Sequence, residues 1–158
     1  MHPRAVALIA HFGLQPHPEG GWYRRLHTAS TTVKTDAGLR PTVTSIVYLL
    51  AAGERSRWHR VHSDELWHFY EGAPLTLLRA APDFATLDSL RLAAGDSPAP
   101  MAAVPAGHWQ AARSDGDYTL VGCTVAPGFD FADFTLLADD ATARALLHAR
   151  QPALASFL

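Results

Sequence analysis

Apolar positions along the chain come in short runs rather than long stripes. TVTSIVYLLAAG, ELWHFYEG, APLTLLRA, DSLRLAAG, AAVPAG, DYTLVGCTVAPG and FDFADFTLL alternate or run continuously apolar between clusters of Gly, Pro and Asp, which is the pattern of strands joined by tight turns. No helical pattern separates them to serve as parallel crossovers, so the prediction is an all-β antiparallel sandwich or barrel rather than an α/β fold. Only the two ends depart from this. Pro3 suits a first helical turn, Val6, Ile9 and Ala10 share a face, and Gly13 can end the segment, predicting a short helix over residues 3–12. Asp139 and Asp140 precede ATARALLHAR, His148 and Arg150 close it, and Pro152 follows, predicting a second short helix.

The chain has 158 residues and no repeat, low-complexity segment or linker, so a single domain over 1–158 is expected. With 18% charged residues and a formal net charge of −2 it lacks the basic excess of a nucleic-acid partner. The apolar run in MHPRAVALIAHFG is too short to span a bilayer, so no membrane partner is expected. A lone cysteine, Cys123, sits in a core-strand pattern and can form no internal disulfide, which fits a reducing, cytoplasmic location.

Candidate chemistry concentrates in WHRVHSDELWHFYEG, residues 58 to 72. Side chains alternate between the faces of a strand, so His59 shares a face with Val61, and Glu65 shares one with Trp67 and Phe69. If the two strands pair after a turn near Ser63 and Asp64, His59 and Glu65 point into one cavity. They could then be two ligands of a divalent metal, or a base with its orienting carboxylate. His68 faces away. Arg57 and Arg60, flanking His59, are expected on the opposite face, pairing with acidic residues across the sheet.

The longer spacing carries a resemblance. Gly53, His59, Glu65 and Gly72 resemble the first motif of the cupin superfamily, in which a second histidine stands where this chain has Val61. Pro105, Gly107 and Gln110 in VPAGHWQ resemble the second motif, with glutamine in place of its histidine. Together with PHPEGGWYRR, TSIVYLL and VGCTVAPGFDFADF, these blocks look like cupin family 5 over residues 14 to about 137. The resemblance implies a double-stranded β-helix, a jelly-roll barrel related to the RmlC-like cupins. It also implies a homodimer with a small-molecule pocket in the barrel mouth, and it brings no settled reaction.

By the same resemblance, His59, Glu65 and Gln110 stand at metal-ligand positions, with His62 joining only if the turn rotates it inward. A glutamine carbonyl suits a hard ion such as Mg²⁺ or Mn²⁺. Without metal, His59 would act as general base, Glu65 would orient it, and Gln110 or a tyrosine would bond the substrate. Isomerase, epimerase or lyase chemistry on a sugar-like or carboxylate molecule is then one reading, and a non-catalytic binding cupin is the other. Further candidates for the pocket are His108, on the face of Gln110, and Trp67, Phe69 and Tyr118, which read first as core packing and second as aromatic walls.

In PHPEGG, His17 and Glu19 read first as turn residues and second as a pocket rim. Arg24 and Arg25 read first as surface residues that aid solubility; second, they offer planar forks for carboxylate or phosphate, only one of which can face a pocket. Phe129, Phe131 and Phe134 read as packing, and His2, His11, His27 and His148 as surface. Residues 28 to 38, TASTTVKTDAG, read as an exposed lid or hairpin.

Overall fold

The computed structural model describes residues 1–95 and 99–158. Helix α1 spans Pro3–Phe12 and α2 spans Ala141–Arg150. Between them lie strands β1 (Gln15–Pro16), β2 (Trp22–Thr28), β3 (Thr32–Thr35), β4 (Gly38–Pro41), β5 (Thr44–Ala51), β6 (Arg55–Val61), β7 (Asp64–Gly72), β8 (Leu75–Ala80), β9 (Leu87–Leu92), β10 (Met101–Val104), β11 (Trp109–Ser114), β12 (Tyr118–Ala126) and β13 (Phe134–Leu136). Six form one sheet in the order β1-β2-β5-β12-β7-β10, five form a second in the order β13-β6-β11-β8-β9, and β3 and β4 make a separate hairpin. All pairings are antiparallel, as the turn-bounded runs predicted.

Three packed layers explain why so many strands read as continuous apolar runs. Between the sheets lie Tyr48 and Leu50 of β5, Trp67 of β7 and Cys123 of β12, against Leu75 and Leu77 of β8. The other face of the six-stranded sheet presents Val47, Leu49 and Ala51 to Ala5 and Leu8 of α1. The other face of the five-stranded sheet presents Trp58, Leu78 and Trp109 to Leu147 of α2 and Phe157 of the turn Pro152–Phe157. Strands such as TSIVYLLA therefore bury both faces, and alternation disappears from their sequence.

Helix α1 ends at Gly13 as expected, but its buried face differs from the expected one. Ala5 and Leu8 are buried, Ile9 and Phe12 pack beside them, and Val6 stays 52% exposed. The set i, i+3, i+4, i+7 from Ala5 is the stripe that meets the sheet. The polar stretch after β2 folds as the β3/β4 hairpin. Its Arg40 makes a two-pronged bond to buried Asp133, at 2.6 and 2.8 Å, tying the hairpin to the segment before β13. Among the described residues no helix is long and apolar enough to cross a membrane.

Candidate functional site

The site begins with an irregularity in β6. Gln110 of β11 pairs with His59, yet Ala112 pairs with Ser56, so β6 carries one residue more than its partner. Such a bulge lets two positions that strict alternation would separate share one face. Ser56 and His59 both point inward, and Trp58 points outward into the second core. Arg57, the bulged residue, has backbone groups free of the ladder. Its N–H donates to Glu19 O at 2.9 Å, and its carbonyl accepts from His59 Nδ1 at 2.7 Å.

The segment from Pro16 to Gly21 is laid across this bulge. Arg57 Nη2 donates to Pro18 O, and Tyr48 Oη donates to Gly20 O at 2.7 Å. Gly21 has φ +67, and a Cβ there would sit 2.8 Å from Leu49 O, so only glycine passes this close to β5. This anchoring turns Glu19 into the barrel, where only 6% of it is exposed. Ser56 Oγ donates to Glu19 Oε1 at 2.8 Å, and Glu19 Oε2 lies 3.3 Å from both His17 Nδ1 and His59 Nε2.

The hydrogen bonds assign protons. A carbonyl only accepts, so His59 carries its hydrogen on Nδ1, and neutral His59 turns a lone pair on Nε2 toward Glu19. Two acceptors 3.3 Å apart need a proton between them, on Glu19 or on the ring. Burial raises Glu19 above the usual carboxylate range, opposed by His17 and Ser56, and lowers His59 below the usual imidazole range, opposed by Glu65 and the Arg57 carbonyl. Both shifts favour a protonated carboxyl beside a neutral imidazole. His17 is likewise lowered by burial, opposed by Glu19.

Glu65 faces the same cavity but serves a different partner. Gln110 Nε2 donates to Glu65 Oε2 at 2.5 Å, and Gln110 Oε1 accepts from Trp67 Nε1 at 2.8 Å. Indole N–H is a donor only, so it fixes which end of the amide meets Glu65. Burial raises Glu65, opposed by His59, and burial likewise raises the Cys123 thiol that lines the same cavity. The cavity so enclosed measures about 30 Å³, space on the order of one water, and Val61, Ile46, Val125 and Phe129 supply its apolar wall.

Several sequence expectations are corrected here. Glu65 is not the carboxylate in contact with His59; the bulge and the glycine turn bring in Glu19 instead. Gln110 offers no oxygen to a metal, because Trp67 occupies it and its amide nitrogen faces Glu65. His62 stays outside, its side chain 56% exposed and 3.9 Å from Asp133. The donor set His59, Glu65, Gln110 and His62 therefore does not fit a divalent ion. Among the described residues no group of three His, Cys, Asp or Glu side chains is disposed to hold one.

His108 lies in the turn before β11, its Nδ1 3.5 Å from Ala106 O, rather than beside Gln110 on a strand. Trp67 and Phe69 pack in the inter-sheet core rather than lining the cavity. Tyr118 packs under α1, donating to Glu71 at 2.8 Å. Arg60 lies over the Trp109 ring and pairs with Asp140 at the start of α2 rather than across the sheet, and Arg57 takes backbone carbonyls. His17 and Glu19, read first as turn residues, line the cavity, as do Arg25 and Phe129. Ser56 and Tyr48 carry no signal in the sequence, since nothing there marks a bulge.

Comparison with known proteins agrees with the architecture. No curated protein matches the sequence. A protein from Shewanella oneidensis of known structure is 32% identical, with TM-score 0.84 over 98% of this chain and 96% of that one. A hypothetical protein from Leishmania major is 27% identical, with TM-score 0.83 over 97% and 95%. Oxalate decarboxylase from Bacillus subtilis shares the fold at 14% identity, TM-score 0.60, over 85% of this chain and 33% of that one. Residues 6–137 match the family described as Cupin superfamily (DUF985), and the chain belongs to it.

Proposed function

We propose that the barrel mouth receives a small polar molecule and that His59 and Glu19 move a proton on it, in isomerase-, epimerase- or lyase-type chemistry. One observation carries this reading: His59 Nε2 and Glu19 Oε2 stand 3.3 Å apart inside the barrel with one proton to share. A group that gains or loses that proton leaves its partner ready to do the reverse, which is what a general acid–base step requires. The Arg57 carbonyl holds the ring tautomer, and Ser56 holds the carboxyl. Glu65, clamped by Gln110, supplies a second buried carboxyl across the cavity and raises the proton affinity of His59 through its charge. Val61, where the cupin motif has its second histidine, keeps this wall apolar and strengthens every charge interaction nearby.

The test starts from compounds that raise the thermal midpoint of the purified protein. Each is incubated with it in D₂O and examined by mass spectrometry. The wild type is expected to place solvent deuterium in, or convert, at least one such compound. In His59→Gln that rate is expected to fall by about 10²-fold or more with the thermal shift retained. A bound compound that gains no deuterium and is not converted would overturn the reading and leave a binding protein.

A further inference from the structure

We infer that the groove outside the cavity, around Arg24 and Arg25, is an anion subsite, and that the molecule bound is a small carboxylate or phosphate anchored there. This rests on the proposed acid–base reading for what happens at its other end. The inner cavity, at about 30 Å³, has no room for a metabolite. Against it lies a groove of about 550 Å³, within the range of small-molecule sites, and Tyr23, Arg25 and Phe129 line both spaces. A ligand that reaches toward His59 and Glu19 past these three side chains keeps its body in the groove.

The groove has the chemistry for a negative charge. Arg4, Arg79 and Arg150 each hold a carboxylate, but among the described residues Arg24 and Arg25 lie within 4.0 Å of none. Each is steadied by a backbone carbonyl: Arg24 Nη1 donates to Phe12 O at 2.8 Å, and Arg25 Nη2 to Phe129 O at 3.3 Å. Arg25 also lies 5.7 Å from the Phe129 ring centre. A guanidinium has five N–H donors, so each keeps most of its fork for a bidentate acceptor. β2 turns Tyr23 into the inter-sheet core and Arg24 toward α1, and past β1 its edge is unpaired, so both arginines open onto one groove. The acidic side chain there, Asp130, already accepts from Ala132 N at 2.8 Å. Phe131, half exposed, adds an apolar wall for the ligand's body.

The test uses the full-length protein and calorimetric titration with inorganic phosphate, with malonate, and with acetamide as a neutral control. Phosphate or malonate is expected to bind and acetamide not to, and the tighter anion identifies the head group. Arg24→Gln and Arg25→Gln should each weaken binding by about 10- to 150-fold, a charge-assisted bond being worth about 1.5–3 kcal/mol, and the double variant should abolish it with an unchanged thermal midpoint. His59→Gln should bind the anion like wild type. Failure of both anions to bind, or equal affinity in the double variant, overturns the inference. Deuterium exchange without arginine-dependent anion binding would leave the acid–base reading standing and remove this one; arginine-dependent binding without exchange would do the reverse.

Discussion

Replacing Gln110 by methionine separates a clamping role for this residue from a merely space-filling one. The side chain is fully buried and makes two bonds, to Glu65 at 2.5 Å and from Trp67 at 2.8 Å. Methionine matches its length, cannot donate to Glu65 and offers the Trp67 indole only a weakly accepting sulfur. Two buried groups lose a partner, the indole N–H and one oxygen of Glu65, at about 1–3 kcal/mol each, partly offset because a thioether is easier to bury than an amide. The expected net loss is about 2–4 kcal/mol, or about 5–15 °C in thermal midpoint at about 2–4 °C per kcal/mol for a chain this size. Trp67→Phe alone leaves Gln110 Oε1 without its donor. In the Gln110→Met background that loss has already happened, so the double-mutant cycle should show a coupling of about 1–2 kcal/mol, with the smaller ring's packing cost cancelling. Urea unfolding followed by far-ultraviolet circular dichroism measures all four proteins without relying on Trp67 fluorescence. Gln110→Met within about 0.5 kcal/mol of wild type, or a coupling of zero, would refute the clamp.

The buried acid–base pair makes stability depend on pH in two opposed ways. Glu19 has a folded value raised above its ordinary 4.5, so its contribution is full below that pH and is lost as pH climbs through the raised value. His59 has a folded value lowered below 6.5, so its contribution is full above that pH and is lost as pH falls through the lowered value. Glu19→Gln should therefore gain stability relative to wild type as pH rises above 4.5, and His59→Gln should gain as pH falls below 6.5, both read from urea midpoints. Gly21→Ala is expected to cost about 1–3 kcal/mol, because φ is +67 and the new methyl meets Leu49 O and Tyr48 Oη. Gly53→Ala, at φ +79 with nothing within 4 Å, should cost less in the same melting experiment; equal losses would mean that close approach to β5 is not what Gly21 provides.

The architecture was largely legible because its signals are local. Turn residues bound each strand, Pro3 and Gly13 bracket α1, and Asp140 caps α2 by accepting from Ala143 N at 2.9 Å. The motif spacing found His59, Glu65 and Gln110, and all three are buried at the centre of the barrel. What it missed is who bonds to whom. Strand parity assumes a regular ladder, and a single extra residue at Arg57 breaks the count. Glu19 lies 40 positions before His59, in a turn whose prolines and glycines also suffice to explain a bend. Its entry into the barrel depends on long-range contacts with Arg57, Tyr48 and Ser56 that no local pattern announces. The orientation of the Gln110 amide was equally invisible, since it depends on an indole on a different strand.

The extra residue in β6 also says how this site could be lost without losing the protein. Between Gly53 and His59 the chain needs a turn and a strand that reaches β11, and a version one residue shorter could still make both. Such a deletion would straighten the ladder and rotate Ser56 away from Glu19. It would also take away the carbonyl that sets the His59 tautomer. The core under α1, built from Ala5, Leu8, Val47 and Leu49, contains no residue of β6. The interval from Gly53 to His59 is thus a length gauge, in which a folded barrel with working chemistry and a folded barrel without it differ by one backbone unit.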